Sequence, residues 1–217
     1  MSEATLRESA PALDFAVESA EAVRHAAAPT VAFALRISSD VAVRSAMLQA
    51  QIRIAAPDRP YDDETQERLR DLFGPPEGWG RTLRSLLWAH ATVLVPAFER
   101  TTTVELPVPC TYDFEVAAAK YLYALRDGDV PLELLFSGTV FYAGAGGALR
   151  TARISWASES AFRMPVSVWQ EAVERAFPGS AWLRVRRDVF DRLVAYRTRR
   201  TLPTWEDVVD ELLDGRE

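Results

Sequence analysis

Residues 110–142 read CTYDFEVAAAKYLYALRDGDVPLELLFSGTVFY, and the way this stretch folds decides the architecture. Asp127-Gly128 stands between two apolar runs. Asp-Gly in that setting is a strong hairpin signal, because glycine accepts the positive φ of a tight turn. The stretch therefore reads as two long strands joined by the turn Arg126-Asp127-Gly128-Asp129. The second strand, Leu132 to Tyr142, is apolar on both faces, with Leu132, Leu134, Phe136, Val140 and Tyr142 on one and Leu135, Thr139 and Phe141 on the other. Such a strand is expected in the middle of a sheet, covered on both sides.

Upstream, strict alternation marks further strands. Leu13 to Val17 is a short one; in the next, Val31, Phe33, Leu35 and Ile37 share a face, and Leu48, Ala50, Ile52 and Ile54 share a face in the third. This is the pattern of a sheet with one wet face. A helix near 63–73 interrupts the series, with Asp63 and Gln66 spaced as a capping box and Gly74-Pro75-Pro76 as its stop. Ser85 to Val95 is the next strand, in which the i, i+2 spacing puts Trp88 and His90 on one side. Thr101 to Pro109 carries Pro107 and Pro109 on one face, which removes ladder donors and makes it an edge strand or connector. Leu149 to Trp156 is the last strand.

From Pro165 the period changes from 2 to 3.6. Val166, Trp169, Ala172, Val173 and Phe177 form a helical stripe, a second helix starts at Asp188, and Thr204 with Asp207 caps a third. The expected fold is α+β: an antiparallel β-sandwich-like core of about seven or eight strands, one inserted helix and a helical C-terminal cap. Residues 1–12 are expected as a flexible tail, 13–160 as the β-rich part and 161–217 as helices packed on the sheet, all one folding unit.

With 217 residues, 48% of them hydrophobic and 26% charged, the chain can bury a proper core. A net charge of -6 argues against a general nucleic-acid binder. The single cysteine excludes an intrachain disulfide framework or a multi-cysteine metal site. No apolar run is long enough to span a membrane, the N-terminus has no secretory h-region, and a cytoplasmic setting is the expectation.

No nucleotide, triad, zinc or glycosidase motif is present, and no cofactor, metal or catalytic residue is expected. Cys110 would need a base, and only His25 and His90 exist, so a packed small side chain is the simpler reading. Lys120 reads as a snorkelling lysine, or as paired with Asp113 or Glu115. Asp62-Asp63-Glu64 is explained by helix-start electrostatics, and Gly144 to Gly147 by a turn. Trp79, beside glycines, and Trp182, after Pro-Gly-Ser, are candidates for exposed interface anchors. Arg184, Arg186 and Arg187 open a basic segment that could dock a partner, or could be a solvated face balanced by the acids that follow.

Several ordered words carry a resemblance. Gln51-Ile52-Arg53-Ile54, Leu72-Phe73-Gly74, Trp79-Gly80, Cys110-Thr-Tyr-Asp113, Lys120-Tyr121, Leu134 to Tyr142 and Leu202-Pro-Thr-Trp205 resemble an uncharacterised actinobacterial domain family. Its members are often encoded beside nickel–iron hydrogenase subunits and maturation factors. The resemblance spans roughly residues 12 to 213 and implies an accessory role with no catalytic residues. A smaller likeness links Glu115-Val116, Ala124-Leu125, Gly128 and Gly138-Thr-Val-Phe141 to the sheet core of the Sec-system export chaperone. The expectation is thus a non-enzymatic accessory or assembly protein binding a protein partner, a hydrogenase subunit or maturation factor first. The alternatives are an enzyme with a site around His90, Cys110, Asp113 and Glu115, and a permanent structural subunit of a larger complex.

Overall fold

The computed structural model describes residues 10–111, 116–144, 147–181 and 183–215. The strands are β1 (Leu13–Ala22), β2 (Thr30–Ser39), β3 (Val43–Ile54), β4 (Leu86–Val95), β5 (Thr101–Pro109), β6 (Asp129–Ala143), β7 (Leu149–Arg153) and β8 (Glu159–Pro165). Among the described residues there are seven α-helices: α1 (Asp63–Arg68), α2 (Arg70–Phe73), α3 (Trp79–Thr82), α4 (Ala117–Ala124), α5 (Val166–Ala176), α6 (Arg187–Arg200) and α7 (Trp205–Asp214). The fold class is α+β, as the periodicities predict.

All strand pairing is antiparallel. One sheet has the order β1-β2-β5; the other runs β4-β3-β6, with β7 and β8 both paired to the far side of β6. The sheets face each other across aromatic contacts. Phe15 of β1 stacks on Phe136 of β6 at 4.5 Å, and Phe33 of β2 meets Trp88 and Phe162 edge-on at 6.1 Å. The inward residues of the alternating strands (Val31, Phe33, Leu35, Ile37; Leu48, Ala50, Ile52, Ile54) are all buried, which is why these segments take a period of 2. β5 is an edge strand, as its two prolines require.

The deciding stretch folds differently from its reading in one half. Residues 117–124 form α4 rather than a strand, so Asp127-Gly128 joins a helix to β6 and there is no hairpin. Ala118, Tyr121, Leu122 and Leu125 lie at i, i+3, i+4 and i+7, and all are buried. That helical stripe outweighs the alternation of Val116, Ala118, Lys120 and Leu122, and three consecutive alanines favour it further. Gly128 takes φ +72°, the freedom the turn needs.

β6 does lie centrally, between β3 and β7/β8, but it is not covered on both sides. Leu132, Leu134, Phe136, Val140 and Tyr142 are buried; Leu135, Thr139 and Phe141, on the other face, are only half-buried. The insertion between β3 and β4 contains α1, α2 and α3 rather than one helix. α1 is capped by Asp62, whose carboxylate accepts from the Thr65 amide at 2.7 Å. β8 is a strand beyond Leu149 to Trp156, the stretch expected to be the last one, and Pro165 ends it as the N-cap of α5.

The chain divides into two compact units, Met1–Ala181 and Trp182–Glu217. α5 belongs to the first, packing Val166, Trp169 and Ala172 against β1, β2 and β8. The second unit consists of α6 and α7. Thr204 and Asp207 form the capping box expected of α7, with the Asp207 amide 3.0 Å from the Thr204 hydroxyl. No helix among the described residues is long and apolar enough to cross a membrane.

Candidate binding face on the five-stranded sheet

The pairing register defines the outward face of the larger sheet row by row. Leu94, Met47, Thr139 and Arg153 form one row across β4, β3, β6 and β7. Thr92, Gln49 and Ser137 form the next; His90, Gln51, Leu135 and Glu159 the one after; Leu87, Arg53, Glu133 and Ala161 the last. Leu94 is 70% exposed and Met47 53%, although both are large apolar side chains.

The same face is shaped by an irregularity at Gly138. Thr139 pairs with Arg153 and Leu135 pairs with Glu159, so residues 154–158 stand opposite only residues 136–138. β7 and β8 are one edge strand interrupted by an insertion. Its ends are fixed by the Ile154 amide donating to the Gly138 carbonyl at 3.0 Å and the Phe136 amide donating to the Ser158 carbonyl at 2.8 Å. Within it Ser155 makes a local turn, its hydroxyl accepting from the Ala157 amide at 3.2 Å. Ile154 is buried as an anchor, and Trp156 at the apex is 91% exposed.

Between this loop and β3 lies an open hollow of about 610 Å³, lined by Met47, Gln49, Ser137, Gly138, Thr139, Arg153, Ile154, Ser155 and Trp156. Gly138 has φ +141°, and a Cβ there would run into the Met47 carbonyl, so glycine is required where the floor approaches β3. Arg153 forms no ion pair among the described residues, whereas Arg53 is paired to Glu133 at 3.9 Å. The hollow thus offers an indole, a thioether, amide and hydroxyl groups and one unpaired guanidinium. That set is suited to recognition; it includes no nucleophile–base pair.

Of the residues singled out by the sequence, Trp79, His90, Cys110 and Lys120 are described in the first unit, and none of the four lines this hollow. Trp79 is half-buried: its indole N–H donates to the Gly74 carbonyl at 2.9 Å, and its ring packs edge-on against Tyr61 at 5.3 Å and Phe73 at 5.9 Å. Tyr61 and Tyr121 share a hydrogen bond of 2.8 Å in the same cluster, and Tyr61 also donates to the Ala56 carbonyl. Burial pushes both phenols above the usual tyrosine range. Lys120 pairs with Asp71 at 2.6 Å.

His90 is exposed on the outward face, while Trp88 is buried, so the two do not share a side. Ile52 pairs with Ala89 and Arg53 with Leu87, which leaves Trp88 as the extra residue of a β-bulge. One extra residue reverses the in–out phase. Cys110 is buried on the inner side, its thiol 3.6 Å from the Val108 carbonyl. Burial pushes its pKa up to about 12, which removes it as a nucleophile near neutrality. A solvent-facing His90 and an inward Cys110 are not a catalytic pair. Asp113, Glu115 and Trp182 lie outside the described residues. Arg186 pairs with Asp188 at 3.1 Å and Arg187 with Asp191 at 3.5 Å; Arg184 is exposed in the same segment. Among the described residues no group of three or more His, Cys, Asp or Glu side chains is placed to hold a metal ion.

Sequence reasoning missed Trp156. The signal available was its setting, Ser155-Trp156-Ala157-Ser158, an aromatic enclosed by small turn-forming residues.

No curated protein matches the sequence. Among solved structures, a β-glucosidase from Kluyveromyces marxianus shows 8% identity and a TM-score of 0.25 over 71% of this chain, and the match spans 15% of that enzyme. β-Glucosidase 3B from Thermotoga neapolitana shows 13% identity and a TM-score of 0.25 over 70% of this chain and 17% of its own. Residues 10–217 match the model of the family of unknown function DUF6084, and the chain belongs to that family.

Proposed function

We propose that this is a non-enzymatic accessory protein that holds a protein partner on the outward face of its five-stranded sheet. The observation that supports this reading is the uncovered apolar group of Trp156, Met47 and Leu94 around an open hollow. Tryptophan is among the more buried residues on average, and contiguous exposed apolar surface marks interaction sites. The occupant is a partner surface presenting an apolar side chain next to a carboxylate. The apolar group enters between Trp156 and Met47, and the carboxylate meets the unpaired Arg153 guanidinium. The hydrogenase-linked resemblance makes nickel–iron hydrogenase subunits and maturation factors the first partners to test.

Tagged chain and its Trp156→Ala variant, expressed in cells that carry the natural gene, are purified side by side and their co-purifying proteins quantified. A hydrogenase subunit or maturation factor recovered near stoichiometry with the wild type, and binding the variant about thirtyfold more weakly, is the expected result; that corresponds to loss of about 2 kcal/mol at one aromatic anchor. A partner-free wild-type chain, or equal recovery by both, overturns the proposal.

A further inference from the structure

The backbone hydrogen bonds show which groups of an edge strand point away from its sheet. In an antiparallel pair, alternate residues exchange bonds with the partner strand, and the residues between them turn their N–H and C=O the other way. At the edge of the smaller sheet the Cys110 amide donates to the Pro29 carbonyl at 2.7 Å, so Leu106, Val108 and Cys110 face β2 and Glu105, Pro107 and Pro109 face outward. Two of those three are prolines, which have no amide to offer a further strand. At the edge of the larger sheet the Ile154 amide donates to the Gly138 carbonyl at 3.0 Å and the Gly144 amide to the Ala148 carbonyl at 2.8 Å. Arg150 and Ala152 therefore bond to β6, and Leu149, Thr151 and Arg153 turn their backbone groups away from it. These three are all exposed and all carry an amide, and among the described residues β7 pairs with β6 alone.

Open edges are templates for another strand, and natural sheets blunt them with proline or charge. β5 is blunted by proline. β7 reads Leu-Arg-Thr-Ala-Arg, with charge of one sign only. A second β7 is a poor match for it, because the paired strands would bring two arginines from each copy into one ribbon. Five residues a side also fall far short of the roughly 20–30 that a stable interface uses. An extended acidic segment satisfies the backbone and the charge together. We infer that β7 is a strand-addition site, which takes an extended acidic segment of a partner protein as a further strand of the larger sheet.

The face that β7 shows sets the sequence of the added strand. Leu149, Thr151 and Arg153 pair with Ala143, Phe141 and Thr139, so their side chains lie on the outward face. Every other strand pair of the fold is antiparallel, and in an antiparallel addition each of the three stands about 5.5 Å from a residue of the segment, Cα to Cα. Side chains of such opposed residues meet. An Asp or Glu belongs opposite Arg153, a β-branched residue opposite Thr151, and an apolar residue opposite Leu149, which is 67% exposed. From N- to C-terminus the segment reads acidic, any, β-branched, any, apolar. Arg153 also lines the hollow, so the inference rests on the reading above for whose segment this is. The binding mode is separate: backbone pairing at the edge, with no anchor at Trp156.

The probe is the peptide acetyl-Glu-Ser-Val-Ser-Leu-amide, titrated to about 5 mM into the isotope-labelled full chain and followed through its amide chemical shifts by NMR. The expected result is binding in the millimolar range, with the largest shifts at Leu149, Thr151 and Arg153. The same peptide with Lys in place of Glu binds about fivefold more weakly or worse, and Arg153→Glu reverses that preference. Thr151→Pro removes an amide that β6 does not use; it keeps the melting temperature within about 3 °C of wild type and weakens the peptide about tenfold. If Thr151→Pro fails to fold, the reversal by Arg153→Glu decides alone. Trp156→Ala leaves peptide binding within about twofold of wild type. No shifts at β7 up to the highest concentration, equal binding of the Glu and Lys peptides, or a folded Thr151→Pro that binds as wild type does would each overturn the inference. Peptide binding that Trp156→Ala abolishes would overturn it too while leaving the hollow as the partner site, whereas edge binding with no Trp156-dependent partner would overturn the reading above alone.

Discussion

Gly138→Ala is the substitution through which the geometry of the candidate face can be tested most directly. Gly138 pairs opposite Leu48, and its φ of +141° lies where alanine is strained. Holding a non-glycine residue there costs about 1–3 kcal/mol. The added Cβ would also overlap the Met47 carbonyl oxygen and lie 3.1 Å from the carbonyl carbon, both rigid backbone atoms in the middle of β3. Relief requires β3 and β6 to part locally, at about 1 kcal/mol for each ladder bond lengthened. The total is about 3–5 kcal/mol, a large part of the roughly 5–15 kcal/mol that holds a domain folded. For a chain of this size that lowers the melting temperature by about 10 °C. Thermal unfolding followed by circular dichroism measures it. Gly80→Ala is the control, since nothing lies within 4 Å of its added carbon and its φ is not positive. Melting of Gly138→Ala within about 2 °C of wild type would refute the close approach of β6 to β3 and, with it, the account of how the Trp156 loop is placed.

Three further outcomes follow from the same contacts. Tyr61→Phe strands the buried Tyr121 hydroxyl and should destabilise by about 1–3 kcal/mol, whereas Tyr61→Phe/Tyr121→Phe costs less than the sum of the two single changes; additive denaturant midpoints would contradict the shared hydrogen bond. The Cys110 thiol should be unreactive to a thiol reagent in the native protein. Its folded pKa of about 12 lies above the unfolded value near 9, so the stabilisation from keeping it neutral is complete below about pH 9 and declines by about 1.4 kcal/mol per unit above, which unfolding of wild type and Cys110→Ala in parallel would resolve. Deleting Trp156 and Ala157 together should leave the melting temperature within about 3 °C of wild type, because Ile154 still anchors the edge; a collapse of folding would show that the loop is structural.

Much of the β framework was legible because its strands have one wet face. Val31, Phe33, Leu35 and Ile37, or Leu48, Ala50, Ile52 and Ile54, leave period 2 as the only pattern that buries them. α4 was not, because eight residues rich in alanine and aromatics satisfy both templates, and only the helical one places Tyr121 beside Tyr61 and Phe73. The neighbour that decides lies about sixty residues away in the chain, where no local pattern reaches. The binding face was less legible still. Leu94, Met47 and Arg153 become a row only through pairings of β4 with β3, β3 with β6 and β6 with β7.

Irregular strands explain why that face forms where it does, and the parity of the insertion matters. At Trp88 one residue is added, so everything beyond it changes side: Trp88 goes into the core, and His90 turns out to solvent. β1 does the same between Val17 and Ser19, which returns Ala20 and Ala22 to the inner face after Phe15 and Val17. Opposite Gly138 the insertion is two residues, residues 154–158 against 136–138. An even insertion preserves phase, so Arg153 and Glu159 stay outward and Ala152 and Ser160 keep the inner side on either side of the break. The sheet therefore keeps its core intact while a loop is projected from its edge. An odd insertion would have turned either Met164 or Ala152 outward, at the expense of buried apolar area. The even one concentrates the irregularity in a surface loop, and an exposed tryptophan can then stand beside Met47 and Arg153 with Phe136, Val140 and Ile154 still packed beneath it.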